Sequence, residues 1–177
     1  GVNGFVGTNL SAYLKLNGKN TIGVSRNPYN SDISYNELTK FLTNSKSIIH
    51  LAGKAHDLKK DINEQDYFKV NTELTKYIFD TFLESDCEKF IYLSSVKAVA
   101  DEVQGVLTEK TIPNPISPYG KSKLLAEKYI LSKKIPKNKR VYILRPCMIH
   151  GPGNKGNLNL LYKFVSNGLP WPLGSFD

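Results

Sequence analysis

Phe90-Ile91-Tyr92-Leu93-Ser94-Ser95 is followed, across a loop of turn-forming residues at 96–116, by Tyr119-Gly120-Lys121-Ser122-Lys123. The first stretch is apolar without polar alternation, the pattern of a strand buried on both faces. The second opens a helical pattern that runs to about Ser132. The same succession recurs on both sides. Ser47 to Leu51 reads as a strand ending at Ala52-Gly53, and a long helix follows from about Gln65 to Glu84, with Leu74, Ile78 and Phe82 on one face. Downstream, Val141 to Leu144 is a further strand; Gly151-Pro152-Gly153 breaks the pattern before a helix at about Leu158 to Asn167. Upstream, Val6, Leu10 and Leu14 mark a helix from Gly4 to Leu16 that Asn17-Gly18 ends. Thr21 to Ser25 reads as a short strand, and the capping-box pattern Ser34-Tyr35-Asn36-Glu37 starts a short helix through Leu42. Strands alternating with helices predict an α/β fold, a doubly wound parallel sheet.

Composition narrows the function. The 177 residues are 40% hydrophobic and 23% charged, ordinary for a soluble domain with a real core. No apolar run approaches the roughly 20 residues of a membrane span, and the chain opens without the basic-then-apolar pattern of a signal peptide. Cys87 and Cys147 form no disulfide framework and lack metal-ligand spacing, so a reducing cytoplasm is the expected compartment. Much of the net charge of +8 sits in Lys133-Lys134-Ile135-Pro136-Lys137-Asn138-Lys139-Arg140. Without interleaved aromatics or a recognition helix this reads as a solvated loop, not a nucleic-acid surface. A basic surface does attract diphosphate-bearing substrates.

Two motifs carry chemistry. Gly1-Val2-Asn3-Gly4-Phe5-Val6-Gly7 is a G-x-x-G-x-x-G loop opening onto a helix, where the backbone can approach a pyrophosphate held at the helix N-terminus. Such a loop suggests a Rossmann-type dinucleotide site, though alone it is a weak signal. Tyr119 and Lys123, four residues apart, share one helix face. A free phenol has a pKa of about 10, so only on the order of one in a thousand is ionised at pH 7. A neighbouring ammonium favours the phenolate, and the pair then serves as a general base near neutrality. Spacing alone would not separate this from an ordinary amphipathic helix. Ser95, ending an apolar strand 24 residues before Tyr119, does.

With Ser95 in place, the sequence resembles the extended short-chain dehydrogenase/reductase family, the NAD-dependent epimerase/dehydratase group that acts on nucleotide sugars. Further segments match in order: His50-Leu51-Ala52-Gly53, Val70-Asn71-Thr72, Leu144-Arg145-Pro146 and Gly151-Pro152-Gly153. The resemblance implies Ser95, Tyr119 and Lys123 as the catalytic group, with Ser95 bonding the reacting sugar oxygen, Tyr119 moving the proton, and Lys123 binding the nicotinamide ribose while lowering the Tyr119 pKa. It implies NAD or NADP held by Gly1, Gly4, Phe5, Val6, Gly7, Leu51, Ala52, Gly53, Asn71, Tyr119, Lys123 and Pro146. Asn157 and Leu158 are expected on the phosphates of a nucleoside diphosphate sugar. A homodimer is expected. For His50, His56 and His150 packing roles are expected, because metal is foreign to this chemistry.

Departures from the family pattern are informative. Ser94-Ser95-Val96-Lys97-Ala98-Val99-Ala100 resembles a subgroup of bacterial polysaccharide-pathway enzymes, in which Lys97 is expected near substrate. Met148 stands where many relatives have a sugar-contacting Asn. Ser25 and Arg26 stand where an acidic residue would bind a ribose 2′-hydroxyl, a slight lean to NADP, while Asp32 is expected on the adenine. The expected activity is C4 epimerisation of a UDP-sugar; the alternatives are an NADPH-dependent 4-keto-sugar reductase and a cofactor-binding regulatory protein. Residues 1–150 are expected to form the dinucleotide-binding domain and 151–177 the start of a substrate-binding lobe. The glycine loop calls for a feeding strand, so roughly ten further residues are expected before Gly1, and a further portion after Asp177.

Overall fold

The computed structural model describes residues 1–29, 32–55, 63–154 and 157–168, with 157–160 by backbone alone. Helix α1 spans Phe5–Leu16. It ends where Gly18 takes φ +68° and the Lys19 N–H reaches the Leu14 carbonyl at 2.9 Å, a closure that glycine makes without a Cβ clash. At Ser34 the capping box forms: the Glu37 carboxylate accepts from the Ser34 N–H at 3.0 Å and its hydroxyl at 2.8 Å. A 3₁₀ turn over Tyr35–Glu37 follows and leads into α2, Leu38–Leu42.

Three strands, β1 (Ser47–His50), β2 (Lys89–Leu93) and β3 (Arg140–Leu144), form a parallel sheet in the order β1-β2-β3. Ile48 pairs with Phe90 and Phe90 with Val141; His50 pairs with Tyr92 and Tyr92 with Ile143. Helices α3 (Glu64–Tyr67) and α4 (Leu74–Glu84) precede β2, and α5 (Pro118–Ser132) precedes β3. Helix α6, Asn157–Ser166, follows the Gly151–Gly153 turn. The parallel sheet with crossing helices is the expected Rossmann-like class.

The core lies between the sheet and helices α2, α4 and α5. Phe79, Phe82, Phe90 and Tyr92 are fully buried there, with Ile78, Ala126 and Ile130. The rings of Phe79 and Phe90 meet edge-on at 5.0 Å, and Phe82 lies 5.3 Å from Phe90. Each such side chain contributes roughly 1.5–3 kcal/mol on burial.

Three expectations need correction. The strand over Thr21–Ser25 is reduced to a single parallel bridge, Val24 to Ile33. The Ser25 N–H and the Ile33 N–H make its two bonds, at 3.0 and 2.9 Å, the Val24 carbonyl accepts from Gly1 at 2.8 Å, and the segment borders a cavity of about 890 Å³ that Ile48, Ile49 and Leu51 of the β1 segment also line. The helix expected as one piece from Gln65 to Glu84 carries a π turn at Phe68–Glu73, whose extra residue brings Asn71 and Thr72 against α5. The strands expected to be buried on both faces are covered on one. Tyr142 and Leu144 on β3 stay about half exposed, because the helices packed on the sheet among the described residues lie on the Phe90–Tyr92 face.

His50 is a core residue, 3% exposed, stacked at 5.6 Å on Tyr92. The Thr75 hydroxyl donates to the Asn71 carbonyl, so it accepts from His50 Nε2–H at 2.9 Å, which fixes the neutral Nε2–H tautomer. Burial, helped by the Lys123 charge, lowers its pKa to about 3. The unfolded chain takes up this proton near pH 6.5 and the folded chain does not, so stability is full above 6.5 and falls as pH drops toward 3. We expect denaturant melts of His50→Gln to lose up to about 1.4 kcal/mol per pH unit less than the wild type across that window. Identical slopes would contradict the buried neutral imidazole.

Candidate active site

The glycine loop folds against the exit of β1. A Cβ at Gly1 would overlap the Leu51 carbonyl carbon at 2.6 Å, and one at Gly7 would overlap the Val2 carbonyl oxygen at 2.6 Å. Only bare backbone fits, which leaves the N-terminus of α1 open with Gly4 as its extended cap. Phe5 and Val6 form its first turn. The Asn9 amide donates to the Pro152 carbonyl at 3.0 Å, and Gly151 packs on the Phe5 ring, so the 151–153 turn sits beside this helix end. Arg26 and Asp32 both lie within electrostatic reach of Gly1, and a side chain at Gly23 would displace the Asp32 carboxylate. Next to them the buried Ser25 hydroxyl has no hydrogen-bond partner among the described residues. A cradle of bare glycines at a helix N-terminus, with an orphan hydroxyl beyond it, fits a dinucleotide's pyrophosphate and ribose.

Beyond β2 the chain enters the reacting centre. Ser95 caps a 3₁₀ turn over Val96–Ala98, its hydroxyl accepting from the Lys97 N–H at 3.2 Å. Helix α5 starts at Ser117, whose hydroxyl accepts from Gly120, with Pro118 at its first position. Tyr119 and Lys123 follow on the inner face. Ser95 lies near enough to draw the Tyr119 phenol toward ionisation, and Lys123 stands one turn further along the same helix. The Lys123 ammonium donates to the Leu93 carbonyl at 2.9 Å and lies 4.9 Å above the Tyr92 ring. A Cβ at Gly53 would lie 3.1 Å from that ammonium, which places the turn after β1 against Lys123.

The electrostatics differ from expectation in one respect. Burial pushes the Tyr119 phenol above its ordinary pKa, and Ser95 only partly reverses this. Lys123 does not bring Tyr119 below 10 here, because its ammonium is held on the Leu93 carbonyl. Lys123 itself is lowered to about 8 by burial, with Glu127 acting in the opposite sense.

Asn71, expected at the cofactor, is engaged with protein. Its amide donates to the Lys54 carbonyl at 3.0 Å and Ser122 Oγ at 2.9 Å, and its oxygen accepts from the Lys54 N–H at 2.8 Å. It ties the turn bearing Gly53 to α5. The Pro146 carbonyl accepts from Val96 and so borders the Ser95 turn. Lys97 joins Tyr119, Glu64 and Tyr67 around a cavity of about 320 Å³. Asn157 and Leu158 open α6, and their side chains lie outside the described residues, as does His56. His150 is exposed, and no group of three or more potential metal-ligating side chains occurs among the described residues.

Sequence reasoning missed three supports. Gly120 lets α5 approach the Lys97 carbonyl, which a Cβ would overlap. Asp101 accepts from the Ile116 and Ser117 N–H groups, at 2.6 and 2.9 Å, and so fixes the start of α5. Glu127 pairs with Arg145. Glycine between Tyr119 and Lys123 was a visible signal; nothing in the sequence marks Asp101.

A buried ammonium costs stability. A shift from 10.5 to about 8 corresponds to on the order of 3 kcal/mol, offset by about 1 for the bond to Leu93. We expect Lys123→Met to melt at a higher denaturant concentration than the wild type while losing cofactor binding. A variant less stable than the wild type would contradict the cost assigned to this charge.

The chain is 33% identical to the UDP-glucose 4-epimerase of Vibrio cholerae over an alignment of 192 positions that covers 99% of this chain and 58% of that protein. It is 29% identical over 162 residues to the GDP-6-deoxy-D-mannose reductase of Pseudomonas aeruginosa, covering 88% of this chain and 52% of the reductase. Among solved structures, MoeE5 in complex with UDP-glucose and NAD superposes with a TM-score of 0.78 at 24% identity, over 95% of this chain and 60% of MoeE5. The family described as "NAD dependent epimerase/dehydratase family" matches residues 1–169, and this chain belongs to it.

Proposed function

We propose that the protein is a nucleotide-sugar 4-epimerase that moves hydride at C4 of a UDP-sugar. The observation that carries this is the Ser95–Tyr119–Lys123 cluster beside Gly53, in a chain resembling a UDP-glucose 4-epimerase along its whole length. Bound nicotinamide dinucleotide supplies a hydride acceptor that can return the hydride. The glycine loop, Leu51, Ala52 and Gly53 hold it, and Lys123 takes its ribose. Ser95 donates to the sugar oxygen and favours the phenolate as Tyr119 accepts the O4 proton. Lys97, Asn157 and Leu158 bind substrate, 151–177 begin the lobe that closes on the sugar, and the protein acts in the cytoplasm as a homodimer. Tyr77 on α4 and Leu125 on α5 are exposed apolar side chains available to a second copy.

The raised Tyr119 pKa favours a second reading. A phenol that holds its proton is ready as an acid, as reduction of a 4-keto sugar requires, and one relative is a GDP-sugar reductase. Assay of the full-length enzyme on UDP-sugars with and without NADPH separates the two: turnover without added reductant supports the epimerase, strict dependence the reductase. In either case Tyr119→Phe is expected to lower turnover by roughly 10²–10⁴-fold with cofactor still bound. Near-normal turnover in that variant would remove the assignment.

Cofactor choice follows from Ser25 and Arg26, a buried unpartnered hydroxyl and a guanidinium next to the loop. We infer that NADP(H) is accepted alongside NAD, because no carboxylate stands at these two positions to repel a 2′-phosphate. Titration of both cofactors is expected to show NADP(H) weakened selectively by Arg26→Ala. A strong NAD preference unchanged by that substitution would contradict it.

A further inference from the structure

Glu127 stands one turn beyond Lys123 on α5 and is 1% exposed. Its carboxylate accepts Arg145 Nε at 3.0 and 3.2 Å and Arg145 Nη2 as well, and it accepts the Ser94 hydroxyl. Three elements meet at this one side chain: the helix of Tyr119 and Lys123, the strand end before Ser95, and the residue that follows β3. The same strand end is held through its backbone, by Ser94 N–H on the Leu144 carbonyl at 2.7 Å and Val96 N–H on the Pro146 carbonyl at 3.2 Å.

A buried ion pair is an expensive way to join three elements, since apolar side chains of similar volume commonly do so at equal or better stability. Its position suggests another use. Ser94 neighbours Ser95, and Glu127 lies on the same helix as both other reacting residues, so a shift of any one member moves the reacting atoms. We propose that Glu127 and Arg145 are a positioning pair for the reaction, locking the strand end that carries Ser95 to the helix that carries Tyr119 and Lys123. The inference rests on the hydride-transfer reading above.

The pair also acts on Lys123 through its field. The groups facing that ammonium are neutral His50 and the Gly53 turn after β1, the Tyr92 ring and the Leu93 carbonyl of β2, and Glu127 on α5, with Arg145 behind Glu127. Glu127 is the anion that opposes the effect of burial there. Removing the carboxylate alone therefore makes Lys123 lose its proton at lower pH.

Two variants of the full-length enzyme test this. Glu127→Gln is expected to lower kcat on the order of 10²-fold, as a small misplacement of reacting groups does, with KM for the UDP-sugar little changed. Removing one charge leaves the other without its partner, so Glu127→Met combined with Arg145→Met supplies the control. The double variant is expected to regain the wild-type melting temperature and to keep the low kcat, while Glu127→Gln, which leaves the Arg145 charge in place, is expected to show the alkaline limb of its kcat–pH profile at lower pH. Recovery of both melting temperature and kcat in the double variant would reduce the pair to a structural bolt and overturn the proposal. Wild-type enzyme measured alongside keeps the two readings apart: an inactive wild type overturns the hydride-transfer reading and the pair's role with it, whereas a fully active double variant overturns the pair alone.

Discussion

The carbonyl oxygen of Lys97 occupies the space that a Cβ on residue 120 would need, so α5 reaches the end of β2 only because residue 120 is glycine. Everything chemical in the structure depends on that approach. It brings Tyr119 to Ser95, carries the Lys123 ammonium to the Leu93 carbonyl, and allows the Thr72 hydroxyl to reach the Ser122 carbonyl at 2.8 Å. Asp101 holds the helix start, Asn71 its middle and Glu127 the turn after Lys123. These fastenings are polar, made by hydrogen bonds and an ion pair. The stable apolar work is done further down the same sheet face, by Phe79, Phe82 and Phe90. The molecule thus separates a hydrophobic foundation from a polar rim, and the reacting groups stand on the rim.

The charge state of that rim is set mainly by burial. Burial raises Tyr119 and lowers Lys123, the two directions that oppose an ionised phenolate–ammonium pair. Ser95 and Glu127 each pull one member back. A site balanced in this way responds to small changes in nearby charge, which suits the proposed role of Tyr119 in taking and returning a proton. His50, close beneath Lys123, avoids adding a second positive charge by staying neutral.

Much of this was legible in the sequence for a local reason. An apolar run such as Phe90–Leu93 and a helix carrying Tyr119 and Lys123 four residues apart are short-range patterns, and the structure holds both where they were read. The capping box at Ser34–Glu37 and the turn at Gly18 are equally local. What escaped depends on residues far apart in the chain. Thr21–Ser25 has strand-like residues, yet a strand is made by its partners, and among the described residues Val24 bridges to Ile33 and accepts from Gly1 without a longer ladder. Asn71 reads as a cofactor ligand until Lys54 and Ser122 are seen to take its hydrogen bonds. Glu127 reads as an ordinary helical glutamate until Arg145, 18 positions away, is found beside it. The raised Tyr119 pKa belongs to the same class, since spacing reports a neighbouring charge but not the solvent excluded around it.

The central claim is that the Ser95–Tyr119–Lys123 site lets hydride leave and return to one sugar carbon. The most direct measurement gives the full-length enzyme a UDP-sugar labelled with deuterium at C4 and follows the label in the 4-epimer by mass spectrometry. The account expects the label to be retained at C4 while the configuration inverts, because hydride is held on the enzyme and Tyr119 exchanges only the hydroxyl proton. Loss of deuterium to solvent would mean that the carbon is deprotonated instead, and would contradict it.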